Sequence, residues 1–310
     1  MPQFYLIPKK LARKAPFLAA VAQWLEARAF AFIFWFMRWL SLEQASRLSA
    51  FAFGLVGPYG DKANKARTNL AIAFPDASEE WRERTTRQIF RYLGVSAAEL
   101  IKLSDIWEQR QQRLEWDIAP GAAEVIERKG AAMFVSAHIG AWQVTNLLSL
   151  EYGLTISTIY APESNETLRN MMFEMRESMG VGLIPTDAGV RPLMKELAAG
   201  HSVGMAMDTR LDTGRLLPYL GRDALTNTTA ARLALRSGAA LLPIRGVRLP
   251  GNRYRICLYD PLVSKHPDAP IDEQAGELTT QINQHFEAWI REYPEQWICL
   301  KRRWPKAHKL

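Results

Sequence analysis

A histidine that closes an apolar run and is followed at once by a glycine-containing turn is placed to do chemistry. One such run is Ala131-Ala-Met-Phe-Val-Ser-Ala-His138-Ile-Gly140-Ala-Trp142-Gln143. An imidazole at a strand-to-helix turn can take a proton from a hydroxyl, as transfer of an acyl group to that hydroxyl requires. Other groups must then orient the base, balance its charge and stabilise an oxyanion. In a continuous helix, residues five apart diverge by about 140°. His138 and Gln143 can therefore meet only if His138 lies on the turn and residue 143 in the first helical turn. Gly140 suits such a turn, because it tolerates a tight backbone and exposes N–H groups near a helix N-terminus, a candidate oxyanion or anion site.

A second candidate cluster is Met207-Asp208-Thr209-Arg210-Leu211-Asp212-Thr213-Gly214, an apolar strand that ends in Asp208 and runs into a polar loop. Strand ends of α/β sheets are where ligands bind. A turn-capping aspartate beside a surface arginine is the plainer reading of the same residues. His201, His266, His285 and His308 lack comparable surroundings. The chain has no G-x-S-x-G elbow, no P-loop and no dinucleotide fingerprint, so hydrolase, P-loop and Rossmann readings lack support. Cys257 and Cys299 show neither C-x-x-C spacing nor histidine partners at zinc intervals, which points to two packed thiols rather than a metal site or a disulfide framework.

The elements that must position these residues follow from the hydrophobic pattern. With 48% hydrophobic and 23% charged residues, the 310-residue chain has the material for a sizeable core. From Ser41 to about Asp117 the pattern is helical. Leu42–Leu55 is stopped by Gly57-Pro58-Tyr59-Gly60, Asp61–Phe74 follows, and Ser78 caps a helix through Trp81–Lys102. Beyond Gly130, apolar runs at Ala131–Ser136, Leu154–Tyr160, Ser202–Met207, Ala240–Val247 and Tyr254–Leu258 alternate with helical stretches near 142–152, 164–179, 190–199 and 226–237. That rhythm predicts an α/β fold, a central mostly parallel sheet flanked by helices. A last helix is expected over Asp272–Tyr293. Residues 41–310 then read as one domain, with 41–117 a helical layer and 118–310 the α/β body.

Net charge is +7 and is concentrated at the ends. Lys9, Lys10, Arg13 and Lys14 precede the body, and Lys301, Arg302, Arg303, Lys306 and Lys309 close it. Removing these nine leaves −2 for residues 15–300. Basic ends on a near-neutral body suit an anionic bilayer surface or ligand, and do not suit a nucleic-acid groove. Residues 16–40 are apolar enough to cross a bilayer, which takes about 20 residues. Glu26, Arg28 and Arg38 interrupt them, however, so residues 1–40 read as a membrane-associating segment whose helix lies in the interface.

Taken in order, these segments resemble the lipid A biosynthesis acyltransferase family, the late lauroyl and myristoyl transferases within the superfamily that carries an H-x4-D/E motif. The similarity rests on Arg67-Thr-Asn69-Leu70-Ala-Ile-Ala-Phe74-Pro75-Asp76, on His138-Ile-Gly140-Ala-Trp142-Gln143, on Met207-Asp208, on Pro218-Tyr-Leu-Gly221 with Thr228-Thr229-Ala230, and on Pro294-Glu295-Gln296-Trp297-Ile-Cys-Leu-Lys301-Arg302-Arg303-Trp304. The resemblance implies an acyl-carrier-protein or CoA thioester as donor, a phosphorylated glycolipid as acceptor, and chemistry without metal or cofactor on the cytoplasmic face of the bacterial inner membrane. By position it implies His138 as general base and Asp208 as a structural or site-orienting residue. It makes Gly140 and Trp142 part of the substrate site, and Arg210, Arg302 and Arg303 candidates for acceptor phosphates, which arginine forks bind well.

Three positions depart from the pattern. Gln143 stands where the family has an acid, Ala161 where arginine is usual, and Thr209 where Gln or His follows the aspartate. An amide can orient a histidine N–H but cannot neutralise the imidazolium. Glu151 lies about 12 Å along a helix from Gln143, whereas Glu99, Glu163 and Asp208 come from other segments and are open as substitutes. An engineered acid-to-amide change, a natural variant with a weaker or relocated acid, a divergent member with another acceptor, and a silent lipid-binding relative are four open readings of Gln143.

Overall fold

The computed structural model describes residues 16–161, 165, 169–170, 173 and 180–305. The helix expected over 164–179 lies for the most part outside them, as do Glu163, the basic residues before Pro16, Lys306 and Lys309.

Five helices and a short helical turn open the described chain: α1 (Pro16–Trp39), α2 (Leu42–Val56), α3 (Asp61–Ala73), α4 (Glu79–Ile101), α5 (Leu103–Glu108) and α6 (Arg110–Arg113). Local signals set their starts. Ser41 and Gln44 cap α2 reciprocally, each side chain accepting from the other's backbone N–H, and the Ser78 hydroxyl accepts from Trp81 N at the start of α4. A Cβ at Gly94 of α4 would stand 2.3 Å from the Ser49 carbonyl of α2, so glycine lets these two helices cross closely. The stretch Phe17–Trp39 is long and apolar enough to cross a bilayer. Its faces differ: Phe34 and Met37 are buried, while Phe17 (77% exposed), Trp24, Trp35 and Trp39 (76%) point outward. Glu26 is turned inward, where Asn165 Nδ2 donates to it at 3.1 Å.

The helical layer ends earlier than its sequence pattern suggests. Leu114-Glu-Trp-Asp-Ile118 forms strand β1, whose alternation of apolar and polar residues has the two-residue period of an edge strand. Then come α7 (Pro120–Glu127), β2 (Ala132–Ser136), α8 (Leu148–Tyr152), β3 (Ile156–Tyr160), β4 (Val181–Pro185), α9 (Arg191–Ala198) and β5 (Ser202–Ala206). The hairpin β6 (Arg215–Tyr219) and β7 (Arg222–Thr226), α10 (Thr229–Ser237), β8 (Ala240–Leu249), β9 (Arg253–Leu258) and α11 (Ile271–Glu292) complete the body. The hairpin closes on Leu220 and Gly221, both at positive φ, the geometry of a two-residue primed turn.

The main sheet has seven strands in the order β1-β9-β8-β2-β5-β3-β4. Only the β8–β9 pair is antiparallel, so the expected mostly parallel α/β sheet is the one found. Helices cover both faces, and strand residues divide between two cores. Met133, Val135, Val203 and Met205 pack with residues of α3, α10 and α11, while Ala132, Phe134, Leu242 and Ile244 pack with residues of α5, α7 and α8. Burial on both faces explains why these strands read as unbroken apolar runs.

After β2 the chain crosses β8 with no room to spare. Gly140 adopts φ +59°, and a Cβ there would lie 2.1 Å from the Gly246 carbonyl oxygen; one on Gly246 would lie 2.4 Å from the Ala141 carbonyl oxygen. The crossing is fastened by Ala141 N–H donating to Gly246 O at 2.8 Å. Overpacking of this kind costs about 1–3 kcal/mol. Gly246→Ala is therefore expected to lower the unfolding free energy by that amount, read as a lower urea midpoint, and an unchanged midpoint would show that the crossing can relax.

Candidate active site

Strands β2 and β5 are parallel neighbours, with Ser136 opposite Ala206. Two residues beyond each, His138 and Asp208 emerge side by side, and His138 Nδ1 lies 2.7 Å from Asp208 Oδ1. The second oxygen of Asp208 accepts from the Trp297 indole N–H at 3.0 Å. The carboxylate is buried, with 3% of its side chain exposed, whereas the imidazole keeps 36%. Trp142 packs edge-on against the His138 ring, with centroids 5.7 Å apart.

The backbone around His138 is held from both sides. Its carbonyl accepts from Ile298 N at 2.8 Å, and Ile139 bridges antiparallel to Trp297. The C-terminal segment that supplies Trp297 is itself clamped by Asn69 of α3. That side chain donates to the carbonyls of Cys299 (2.8 Å) and Lys301 (2.7 Å) and accepts from Arg303 N (3.1 Å). Residues Val144–Leu147 form a 3-10 turn before α8, in place of a single helix over 142–152. The N–H groups of Ile139, Ala141 and Val144 are used within the fold, on Ala137, Gly246 and Ala141 carbonyls respectively. Gly140 thus serves the backbone crossing.

Beside the imidazole lies a cavity of about 300 Å³, with Phe134, Leu148, Ile156 and Met205 in its wall and Trp142 and Gln143 at the His138 end. Gln143 shares this cavity with His138, but the described hydrogen bond of the imidazole runs to Asp208. Of the other carboxylates open as substitutes, Glu99 is wholly buried and occupied: both its oxygens accept from Arg248 at 2.7 Å. Arg248 also donates to Gln296, the neighbour of Trp297.

The three arginines expected at acceptor phosphates part company. Arg303 is 1% exposed, donates to Leu225 O (2.9 Å) and Thr226 Oγ1 (2.7 Å), and lies 4.2 Å from the Tyr219 ring centroid. Its guanidinium is packed in the core. Arg210 pairs with Asp212 at 2.8 Å and donates to Trp304 O. Arg302 lines a separate groove with Arg67, Arg82 and Glu79. The Trp297 indole and the Asn69 clamp were not among the expected site residues. An asparagine on the buried face of a short helix, and a tryptophan beside the basic tail, are the sequence signals that mark them.

Burial works against protonation of His138, but the adjacent Asp208 carboxylate outweighs it and raises the imidazole above its ordinary value. Burial would raise Asp208 in turn, and the charge and hydrogen bond of His138, with the Trp297 N–H, hold it below the usual carboxylate value. The pair's stability is complete between the ordinary aspartate and histidine values. It is lost as pH falls through the depressed value of Asp208 or rises through the raised value of His138. In Asp208→Asn, burial and the nearby Lys301 charge act on His138 unopposed, so its midpoint should fall from above about 6.5 to below it. Titration of the ring by NMR checks this, and a midpoint that stays raised would rule out Asp208 as the cause.

The chain is similar to known acyltransferases. A phosphatidylinositol mannoside acyltransferase of Mycobacterium tuberculosis is 25% identical over 260 residues, covering 80% of this chain and 77% of the relative. A lipid A biosynthesis palmitoleoyltransferase of Escherichia coli is 24% identical over 253 residues, covering 77% of each. Residues 12–306 match the family model of bacterial lipid A biosynthesis acyltransferases, and the chain belongs to that family.

Proposed function

We propose that this protein transfers a fatty acyl chain from a thioester of acyl carrier protein or CoA to a hydroxyl of a membrane glycolipid, a lipid A precursor or a relative of one. The carrying observation is the His138–Asp208 pair, whose imidazole borders a cavity that Phe134, Leu148, Ile156 and Met205 also line. With Asp208 accepting at Nδ1, the imidazole carries its proton on that nitrogen and offers the Nε2 lone pair. Nε2 takes the acceptor hydroxyl proton as the oxygen attacks the thioester carbonyl carbon. The tetrahedral intermediate collapses with C–S cleavage, and the imidazolium returns the proton to the leaving sulfur. Asp208 balances the imidazolium in between. Family membership and the two glycolipid-acylating relatives support the substrate class.

Attachment at the cytoplasmic face of the membrane would run through α1. Its exposed Trp24, Trp35 and Trp39 suit the headgroup region, and its inward-turned Glu26 removes one charge from that surface. Replacing Trp35 and Trp39 by Glu should reduce partitioning to anionic vesicles severalfold in a flotation assay, and unaltered partitioning would remove α1 from this role.

Asp208 supplies the carboxylate that position 143 lacks. His138→Ala should lower transfer by about 10²- to 10⁴-fold, the usual contribution of a general base. Asp208→Asn should approach the roughly 10⁴-fold loss seen when the carboxylate behind a serine-protease histidine is amidated. Gln143→Glu should change turnover less than either. Mass spectrometry of the acylated lipid reads all three, and full transfer by His138→Ala would end the proposed mechanism.

A further inference from the structure

His138 borders a second, smaller cavity of about 170 Å³, lined also by Asp208, Thr209, Trp297, Lys301 and Arg303. Among the described residues it alone lines both this cavity and the one bordered by Trp142 and Gln143. The charges around the small cavity are mostly committed. Asp208 is held by His138 and Trp297, and the Arg303 guanidinium is turned into the core among Leu225, Thr226 and Tyr219. Lys301 is different. Its side chain is exposed and makes no ion pair among the described residues, while its backbone carbonyl is fixed by Asn69 at 2.7 Å. The ammonium therefore extends from a rigid point beside the base.

We infer that this cavity is a subsite for a substrate phosphate, bound by the Lys301 ammonium with the Thr209 hydroxyl at the same mouth. Lysine is a common phosphate ligand, acting as a point charge. An anion there also resolves an electrostatic conflict: Lys301 opposes protonation of His138, and a phosphate on Lys301 screens that repulsion when the imidazolium forms. The phosphate belongs either to the glycolipid headgroup or to the phosphopantetheine arm of the donor. This subsite rests on the acyl-transfer reading, and its test separates the two.

Transfer is measured for the wild type, Lys301→Met and Lys301→Arg in two arms. One arm compares a phosphorylated glycolipid acceptor with its phosphatase-treated form, and the other compares acyl-CoA with the acyl-pantetheine thioester. Wild type should prefer the phosphorylated member of one pair by about 10- to 100-fold in kcat/KM, the range of a charge-assisted hydrogen bond. Lys301→Met should lose that preference through KM, and Lys301→Arg should recover part of it. The arm in which the preference collapses identifies the phosphate. Preferences retained by Lys301→Met in both arms would overturn the subsite and leave the base intact, whereas transfer by His138→Ala would overturn the base itself. As an independent readout, inorganic phosphate at constant ionic strength should shift the His138 ring resonances in wild type and not in Lys301→Met. Equal shifts in the two would also refute the assignment.

Discussion

The site depends on one constraint, the in-register ending of two neighbouring parallel strands. Paired residues of parallel strands share a face of the sheet, and a slip of one residue would send every side chain to the other. Here Met133 and Val135 of β2 lie in one core with Val203 and Met205 of β5, while Ala132 and Phe134 lie in the opposite core. Burial on both faces locks the pairing of Ser136 with Ala206. His138 and Asp208 inherit that pairing two residues further on. Core packing and the geometry of the candidate base are thus one specification.

The pair is expensive to hold, because a buried carboxylate loses its hydration and must find donors within the protein. Asp208 finds the imidazole and backbone of His138 and the Trp297 indole. Trp297 belongs to a C-terminal segment with little regular structure, so something else must hold it still. Asn69 fixes residues 299, 301 and 303 from α3, Arg303 is anchored under the β6–β7 hairpin, and Arg248 links Gln296 to the buried Glu99 of α4. Helices from the start of the chain and side chains from its end thereby converge on one carboxylate. The Asn69 contacts join two of the segments that carry the family resemblance, Arg67–Asp76 and Pro294–Trp304, which gives those segments a physical purpose.

Patterns with a local cause were legible in the sequence. The cap at Ser78, the five apolar runs that became β2, β3, β5, β8 and β9, and the placing of His138 and Asp208 past strand ends all follow from short-range rules. Features set by distant partners were not. Strand β1 follows directly on a run of short polar helices and becomes a strand because β9 offers it an edge. Strand β4 has only five residues, with a glycine at its second position and a proline at its last. Arg303 reads as one more charge in a basic tail, and only the packing of Tyr219 and Thr226 around it shows a core residue.

The same division explains Gln143. A spacing of five links a histidine to a carboxylate only when the chain between them folds back so that both side chains meet, and this loop is instead drawn toward β8 at the Gly140–Gly246 crossing. His138 is left facing a partner 70 residues further along the chain, which no motif of fixed spacing can encode. Once a buried aspartate holds the imidazole, a second carboxylate at position 143 would add negative charge to the shared cavity and compete for the same proton. An amide there keeps the volume and hydrogen-bonding capacity of the side chain without that competition. In this chain the carboxylate that meets the imidazole comes from the end of the neighbouring strand, and position 143 contributes an amide to the cavity that His138 borders.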